Sequence, residues 1–319
     1  MGNALVDMMI RIEHEQVFDE FGLLKGGMRL VDAAIIDRLL ARLKPLPVEI
    51  ATGGSAANTM YGLGKLGIET SFIGKVAADD MGKFMTEDML KSRIQPRLLQ
   101  GIEPTGIALA LVTPDSERTF AVNLGCAIEL SPEDIDAEMF EGYDIFHIEG
   151  YLVQNKELLD KALHLAKEAG AKVSFDLASF DVVEENLAYL KSIIARYVDI
   201  LFANEDEARA FSGLGPEKAL MEISKTVPVT IIKTGDKGSL ISDGNQIYKI
   251  GVIPATSIDT TGAGDLYAAG FLYGLVKALP MEICGKIGAL LAGKVIGVLG
   301  AKMKDDTWEE IKIELNKLV

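Results

Sequence analysis

The segment Asp259-Thr-Thr-Gly-Ala-Gly-Asp265, followed by Leu-Tyr-Ala-Ala-Gly-Phe271, decides how this sequence is interpreted. Its glycines allow a tight backbone turn, and its small side chains let a ligand approach the main chain. The helix predicted to follow offers unpaired N–H groups and the positive end of its dipole. We therefore expect the N–H groups of Gly262, Ala263 and Gly264 to form an anion hole for a phosphoryl group in transfer.

Asp265 stands at the start of that helix. A carboxylate in this position could accept a proton from an attacking hydroxyl group. The simpler interpretation is a glycine-rich turn whose helix is capped by an acidic residue. This segment alone leaves both interpretations open.

Apolar strands alternate with amphipathic helices through the second half of the chain. Strands are predicted at 144–148, 172–176, 199–202 and 229–233, and helices at 156–168, around 182–194 and from 204. Strands separated by helices imply right-handed crossovers and a mainly parallel sheet. Ligands bind beyond the carboxyl ends of such strands, where this chain has Asp176, Asn204 and Thr234.

A second group of strand candidates indicates a small β-rich subdomain. These strands lie at 27–31, 48–52, 107–113 and 118–124, the last two forming a hairpin around Pro114-Asp115-Ser116. We predict one domain spanning 1–319, with a discontinuous β-rich lid formed by about 11–52 and 101–125 and an α/β core formed by the remainder. A lid beside a cleft could exclude water from a reaction.

Two further elements could bind a polyol. In Gly53-Gly-Ser-Ala-Ala-Asn58 the glycines allow close backbone approach, while Ser55 and Asn58 can hydrogen-bond hydroxyl groups. The alternative is a strand-to-helix turn with Ser55 as its N-cap. Asp7, after the apolar Ala4-Leu5-Val6, could grip two vicinal hydroxyls or simply cap a strand end.

Two elements could contact a nucleotide and its metal. Asn204-Glu-Asp-Glu207 begins a helix after a strand, where acidic residues are stabilising in themselves. The functional interpretation is that Asn204 and Glu207 hold Mg²⁺ or its waters. Lys233-Thr-Gly-Asp-Lys-Gly238 is either a hairpin loop or a contact to nucleotide phosphates.

Together these elements resemble the PfkB (ribokinase-like) family of carbohydrate and nucleoside kinases. The segment 259–265 with Ala269-Gly270-Phe271 is similar to the family's C-terminal signature. The other landmarks occur in the same order along essentially the whole chain: Asp7, Gly53-Gly54 with Asn58, Asn204-x-x-Glu207 and Thr234-Gly-x-x-Gly238. The resemblance implies a ribokinase-like, doubly wound α/β fold with a mainly parallel sheet flanked by helices.

Within that family the chain looks most like the adenosine kinase branch. The similar stretches are Gly2-Asn-Ala-Leu-Val-Asp7, Gly53-Gly-Ser-Ala-Ala-Asn-Thr59 and Lys294-Val-Ile-Gly-Val-Leu-Gly-Ala301. The resemblance implies ATP-dependent phosphorylation of a primary hydroxyl group, with the 5′-OH of adenosine as the first choice. Tyr151 would stack on the purine, or is an ordinary aromatic at the cleft edge.

The resemblance also implies roles for single residues. The substrate would contact a set of residues from both parts of the chain: Asn3, Asp7, Gly53, Gly54, Ser55, Asn58, Arg118 and Tyr151. ATP would contact the following: Asn204, Lys233, Thr234, Gly235 and Gly238. Glu207 would hold Mg²⁺ through water, and Asp259 lies where relatives can bind K⁺. For Arg118, a place near the phosphates and a solvated hairpin position are both open.

Three rival functions remain. The nearest is the same reaction on ribose, fructose or a sugar phosphate; the apolar Phe18, Phe21, Met28 and Leu30 favour a nucleoside. A dehydrogenase is suggested by Gly62-Leu-Gly-Lys-Leu-Gly67, but these glycines fall inside a predicted helix, where packing explains them better. The third is a catalytically silent sensor, which would have no need of Asp265.

Another glycine segment imitates a phosphate-binding loop. Gly288-Ala-Leu-Leu-Ala-Gly-Lys294 nearly matches such a loop, but Val295 stands where Ser or Thr must ligate Mg²⁺. The segment is continuous apolar helix, so we interpret it as packing.

Composition limits the partners. With 32 Lys+Arg against 47 Asp+Glu, the formal net charge of −15 argues against nucleic acid as a partner. No apolar run is long enough to span a bilayer, and two distant cysteines favour the reducing cytoplasm.

The sequence is compatible with a monomer or with a homodimer paired through the lid. Because relatives have an apolar stretch before Gly2, either the first strand is short or the true start lies upstream.

Overall fold

The computed structural model describes residues 1–115 and 117–318, so Ser116 of the predicted hairpin lies outside the described residues. The described part of the chain forms thirteen strands and eleven α-helices. The strands are β1 (Leu5–Arg11), β2 (Met28–Leu30), β3 (Val48–Gly53), β4 (Thr70–Val76), β5 (Ile94–Gln100), β6 (Gly106–Val112), β7 (Arg118–Asn123), β8 (Ile145–Glu149), β9 (Lys172–Asp176), β10 (Ile200–Asn204), β11 (Val229–Lys233), β12 (Ser239–Ser242) and β13 (Ile247–Ile250). The helices are α1 (Gln16–Phe21), α2 (Ala33–Leu43), α3 (Ser55–Lys65), α4 (Asp80–Lys91), α5 (Lys156–Glu168), α6 (Phe180–Tyr197), α7 (Glu205–Ser212), α8 (Pro216–Ile223), α9 (Ala263–Val276), α10 (Met281–Val295) and α11 (Asp305–Leu318).

The larger sheet has six strands in the order β13-β12-β11-β10-β9-β8. Strands β8 to β11 run parallel, whereas β12 and β13 are antiparallel to their neighbours. The parallel strands are almost continuously buried, as expected when helices cover both faces. Their carboxyl ends bring Asp176, Asn204 and Lys233 to one edge of the sheet.

The smaller sheet has five strands in the order β2-β7-β6-β1-β3. The sequence predicts that this sheet is built from 11–52 and 101–125, which leaves β1 in the α/β core. In the structure β1 is instead an inner strand of this sheet, antiparallel to β3 and parallel to β6. The reason is that burial alternates along β1, so its apolar residues serve one face of a sheet.

This placement of β1 corrects the expected position of Asp7. The sequence predicts that Asp7 follows the end of a short strand. In the structure Asp7 lies within β1, opposite Ala51 on β3 and Ala108 on β6. Because side chains alternate across a strand, the half-buried Asp7 points away from the face that carries the buried Val6.

The segment that leads into β1 contacts both remaining parts of the molecule. The N–H of Gly2 donates to the carbonyl oxygen of Ile73 on β4 (3.2 Å), and β4 pairs in parallel with β5. The Met1 amino group donates to the carbonyl oxygen of His147 on β8 (2.7 Å). These bonds fix the entry into β1 between β4 and the six-stranded sheet.

Helices α3, α9 and α10 pack closely because glycines line their contacts. A Cβ atom added at Gly62 of α3 would lie 2.5 Å from the Cβ of Ala269 on α9, and one added at Gly288 of α10 would lie 2.9 Å from the carbonyl oxygen of Tyr267. Both glycine segments that imitate nucleotide-binding motifs therefore lie at helix contacts, which confirms the packing interpretation. Among the described residues, no helix has the length and apolar character needed to cross a bilayer.

Candidate active site

The start of α9 leaves backbone donors available. Gly262 is the N-cap in the left-handed conformation (φ 75°), and a Cβ there would lie 2.5 Å from Ala301 Cβ. Within the described residues, the N–H groups of Gly262, Gly264 and Asp265 have no hydrogen-bond acceptor. The N–H of Ala263 donates to the Thr260 carbonyl oxygen (3.1 Å). The structure therefore provides donors at this helix start, but Ala263, which the sequence places in the anion hole, is already used.

The side chain of Asp265 is held by α3. Ser55 Oγ donates to Asp265 Oδ1 (2.7 Å), and Asn58 Nδ2 donates to Asp265 Oδ2 (3.0 Å). Thr59 Oγ1 donates to the Asp265 carbonyl oxygen (3.2 Å). The N-cap of α3 is Gly54, so Ser55 orients Asp265 rather than capping the helix as the alternative interpretation had it.

The environment of Asp265 suits a proton acceptor near neutral pH. Burial raises the pKa of Asp265 to about 6, although the hydrogen bonds from Ser55 and Asn58 oppose that rise. Two accepted hydrogen bonds leave further lone pairs on the carboxylate for a substrate hydroxyl. In addition, the buried Asn58 Oδ1 has no hydrogen-bond partner among residues 1–115 and 117–318. An unpaired buried acceptor beside a carboxylate is a site for a hydroxyl donor.

Asp7 lies against the glycines that begin the neighbouring helix. A side chain at Gly53 would collide with the Asp7 carboxylate, and one at Gly54 (φ 93°) would collide with the Asn3 carbonyl oxygen. Burial raises the pKa of Asp7 to about 6, and Lys302 is the nearest cation that opposes this rise. Asn3, Asp7, Gly53 and Gly54 of the predicted substrate residues therefore meet where β1, β3 and α3 join, whereas Arg118 lies on β7 and Tyr151 in the turn after β8.

Two further residues of this region were missed by the sequence prediction. Lys302 lies over the ring of Tyr61 (4.0 Å to the centroid) and lines a small cavity with Asp7 and Arg118. Burial lowers the pKa of Lys302 to about 8. Nothing in the sequence motifs points to it, because it is near Asp7 only in the folded chain.

Glu149, the last residue of β8, is the second missed residue. Its carboxylate accepts the N–H of Asn3 (2.8 Å) and the N–H of Ala56 in the first turn of α3 (2.9 Å). Burial raises its pKa to about 7. Glu149 thus fixes the start of α3, which carries Ser55 and Asn58. Its position after an apolar strand is the signal that could have found it.

Asn204 and Glu207 form a capping box at the start of α7. Asn204 Oδ1 accepts the N–H groups of Asp206 (2.9 Å) and Glu207 (2.8 Å). Glu207 accepts hydrogen bonds from the N–H and the Nδ2 of Asn204 (both 2.7 Å), and burial raises its pKa to about 7. Across the described residues, no group of three or more acidic, His or Cys side chains could hold a metal ion. This donor set fits Mg²⁺ only through water and phosphate oxygens, which is the usual arrangement for Mg²⁺.

The segment 233–238 is a hairpin turn between β11 and β12. Thr234 donates through its N–H (2.8 Å) and its hydroxyl (3.0 Å) to the Gly238 carbonyl oxygen, and Gly235 is exposed at the tip. Lys233 Nζ lies 3.0 Å from Asp176 Oδ2. A Cβ added at Gly264 would lie 3.0 Å from Lys233 Nζ. The hairpin interpretation is therefore confirmed, and Lys233 lies at the glycine segment.

Arg118 is bound inside the structure and is not a solvated hairpin residue. Its Nη2 lies 2.5 Å from Asp259 Oδ2, and its Nη1 donates to Thr261 Oγ1 (2.8 Å). Asp259 also accepts the N–H groups of Thr261 (3.0 Å) and Gly300 (2.6 Å). Three protein groups therefore bind the Asp259 carboxylate, two at Oδ2 and one at Oδ1, and K⁺ binding there stays a prediction.

Tyr151 follows the end of β8 and is half-buried. It belongs to a short 3₁₀ turn at Gly150–Gln154, and its hydroxyl donates to the Ala178 carbonyl oxygen (3.4 Å). Burial raises its pKa to about 12, with Glu149 the nearest of the carboxylates that add to the rise. The half-buried ring is thus close to the site, and stacking on a purine stays a prediction.

Three comparisons place this geometry among known proteins. The profile of the pfkB family carbohydrate kinases matches residues 31–308. A probable sugar kinase from Rhizobium etli CFN 42 is similar in structure, with a TM-score of 0.89, 32% identity, and coverage of 100% of this chain and 97% of its own. An adenosine kinase from Sinorhizobium meliloti has a TM-score of 0.88, 31% identity, and coverage of 98% and 97%.

Among relatives by sequence, a 5-dehydro-2-deoxygluconokinase from Halalkalibacterium halodurans is 26% identical over 93% of this chain and 95% of its own. The structural similarities extend along the whole chain, which confirms the ribokinase-like α/β fold expected from the sequence.

Proposed function

The chain belongs to the pfkB family of carbohydrate kinases, and from this premise we propose that it transfers the terminal phosphoryl group of ATP to the 5′-OH of a ribonucleoside, adenosine first. Family membership makes it a phosphotransferase that acts on an alcohol group and uses ATP. One observation carries the proposal: the carboxylate of Asp265 sits beside free N–H groups at the start of α9 and is oriented by Ser55 and Asn58.

Each group in this arrangement would have a distinct task. The ionised Asp265 accepts the proton of the attacking hydroxyl, while the free N–H groups of Gly262 and Gly264 offset charge on the phosphoryl oxygens. Asp7 and the unpaired Asn58 Oδ1 accept hydrogen bonds from the ribose hydroxyls. Holding donor and acceptor in this geometry supplies most of the rate enhancement in such reactions.

Asn204 and Glu207 would hold Mg²⁺ through water, and the ion would supply positive charge to the ATP oxygens. Thr234, Gly235 and Gly238 would contact the nucleotide. Since Arg118 pairs with Asp259 here, a phosphate contact by Arg118 requires that this pair opens. K⁺ at Asp259, which the resemblance implies, stays part of the proposal. Burial of both cysteines as free thiols fits a cytoplasmic location.

A sugar kinase is the second candidate function, and one observation favours it. Two cations, Arg118 and Lys302, line the small cavity next to Asp7. Since Arg118 is already paired with Asp259, the argument rests on Lys302: a cation beside Asp7 suits a sugar that carries an anionic group better than a neutral nucleoside. The relative from Halalkalibacterium halodurans, a 5-dehydro-2-deoxygluconokinase, points the same way. The dehydrogenase alternative loses its basis because Gly62 packs between helices.

The decisive experiment is a substrate panel with ATP and Mg²⁺, read out as ADP release. The panel contains adenosine, other ribonucleosides, ribose, fructose, fructose 6-phosphate and deoxygluconate sugars. Turnover of adenosine supports the first candidate. Turnover of the anionic sugars without adenosine replaces it with the second candidate. Absence of ADP release with every compound contradicts both.

A further inference from the structure

A buried ion pair joins the ends of two strands beside the glycine segment. Lys233 ends β11 and Asp176 ends β9, with β10 between them in the sheet. Lys233 Nζ lies 3.0 Å from Asp176 Oδ2, and the two side chains are 17% and 8% exposed. Burial of an ion pair is costly and rarely adds net stability, so we looked for a functional role of the Lys233–Asp176 pair.

The pair is oriented toward α9. Asp176 Oδ1 accepts the N–H of Ala178 (3.0 Å), which fixes the carboxylate, and its other oxygen holds the lysine. The ammonium lies so close to Gly264 that a Cβ added there would be 3.0 Å from Nζ. The N–H of Gly264 has no acceptor in the described part of the structure. An ammonium and a free N–H thus face the same small volume.

Lys233 is a cation among several carboxylates in the cleft. Three carboxylates lie around it, those of Asp176, Glu207 and Asp265. Burial by itself would lower the pKa of Lys233, but Asp176 and Glu207 outweigh burial and raise it, so the side chain stays charged. A nucleotide that enters this acidic cleft needs a fixed cation close to its terminal phosphate.

We propose that Lys233 contacts the phosphoryl group as it is transferred, and that Asp176 is the positioning residue that aims Lys233 at it. This inference rests on the proposed kinase function. The substrate oxygen forms a bond to the γ-phosphorus while the bond from that phosphorus to the β–γ bridging oxygen breaks. ADP leaves with the electron pair and Asp265 takes the hydroxyl proton. Lys233 keeps its proton throughout and offsets charge on the phosphoryl oxygens.

The test compares Lys233→Met, Lys233→Arg and Asp176→Asn with the wild-type enzyme. Lys167→Met is the matched control, because Lys167 forms a similar ion pair with Asp199 (2.8 Å) at the opposite end of β10. For Lys233→Met we expect kcat to fall about 100-fold or more, with the KM of the substrate nearly unchanged. Lys233→Arg should recover part of kcat, since it restores the charge. Asp176→Asn should lower kcat about 10-fold, and Lys167→Met should leave it unchanged.

A binding measurement separates a phosphate contact from a structural role. Thermal stabilisation by ATP with Mg²⁺ should shrink in Lys233→Met, whereas stabilisation by ADP with Mg²⁺ should persist. If Lys233→Met unfolds, Gly264→Ala provides the second variant, because its methyl group displaces the ammonium while both charges remain. It should also lower kcat.

The outcomes distinguish this inference from the proposed function. If the wild type turns over a substrate and folded Lys233→Met or Gly264→Ala retains kcat, the inference is wrong and the kinase function stands. If the wild type turns over no panel substrate, the proposed function fails. The comparison of thermal stabilisation by ATP with that by ADP then still decides whether Lys233 contacts the terminal phosphate. If ATP with Mg²⁺ stabilises the wild type and Lys233→Met equally, Lys233 makes no such contact.

Discussion

At the scale of single residues, the proposed phosphoryl transfer depends on the carboxylate of Asp265 and the groups that hold it. Its oxygens accept hydrogen bonds from Ser55 and Asn58, which stand one turn apart on α3. The sequence predicts these three residues as site residues but assigns Ser55 and Asn58 to the substrate. In the structure Ser55 and Asn58 each donate to Asp265, and among the described residues the buried Oδ1 of Asn58 has no partner and is open to a ligand. Spacing along the chain cannot show this, because the two segments are over 200 positions apart.

The first prediction concerns Asp265→Asn. Without an ionisable carboxylate the hydroxyl proton has no acceptor, so we expect kcat to fall roughly 10²- to 10⁴-fold. ATP binding should persist, since the free N–H groups at the start of α9 are unchanged. Steady-state kinetics and calorimetric titration of ATP measure the two quantities. Wild-type kcat in a folded variant would show that Asp265 is not the base.

The second prediction is the pH dependence of the wild type. Asp265 must be ionised to accept a proton, and burial raises its pKa to about 6. Activity should therefore be full above that value and decline as the pH falls through about 6. A profile of kcat against pH, measured with saturating ATP, tests this. A profile that is flat between pH 5 and 7 would contradict it.

The third prediction uses Ser55→Ala to shift that profile. The hydroxyl of Ser55 stabilises the ionised form of Asp265, so its loss should move the acidic limb to higher pH by about one unit. Ser71→Ala is the control, because the Ser71 hydroxyl on β4 makes an exposed hydrogen bond to the carbonyl oxygen of Gln95 on β5, and it should leave the limb in place. If the acidic limb of the pH profile does not move in Ser55→Ala, Ser55 does not influence the ionisation of Asp265.

At the scale of elements, the contact between α3 and α9 sets the geometry of the site. Gly62 allows α3 to approach Ala269 of α9, and the same approach brings Ser55 to Asp265. The sequence predicts the helix and the packing role of its glycines, and both are confirmed for Gly62 and Gly64, whereas Gly67 lies beyond the end of α3 in a left-handed turn. It does not predict that β1 joins the smaller sheet, because the apolar run around Val6 fits a buried strand in either sheet.

The fourth prediction concerns Gly62→Ala. The added methyl group would meet Ala269 Cβ at 2.5 Å, and such overpacking costs about 1–3 kcal/mol. Because α3 must move away from α9, kcat should fall together with stability. Gly251→Ala, where a Cβ meets nothing within 4 Å, is the matched control. Denaturant unfolding and kinetics measure both effects, and an unchanged Gly62→Ala would contradict the packing interpretation.

The fifth prediction concerns the ion pair between β7 and the segment before α9. Arg118→Met leaves Asp259 buried without its cation, which costs about 3–5 kcal/mol in comparable buried pairs. Asp259→Asn in the same chain should recover part of the loss, because the orphaned charge is removed. Arg42→Met, which breaks an exposed pair with Glu20, should change stability little. Equal stability of Arg118→Met and wild type would show that the pair does not hold these elements together.

At the scale of the whole molecule, the order of motifs along the chain predicted the fold, and similarity to known kinases over the full length confirms it. Composition predicted less, since a net charge of −15 argues against polyanion binding but says little about ATP. Lys302 was not predicted because it reaches the site only through long-range packing, whereas the position of Glu149 at the end of an apolar strand could have indicated it. The closure of the smaller sheet over the cleft and its part in a dimer remain predictions.

The most direct measurement is ADP release by the wild type and by Asp265→Asn, with adenosine and the sugar panel in the presence of ATP and Mg²⁺. The account predicts ADP release by the wild type with adenosine, and a loss of roughly 10²- to 10⁴-fold in the variant. Release with anionic sugars alone would overturn the choice of adenosine. Equal rates for wild type and Asp265→Asn, or no release with any compound, would contradict the central claim.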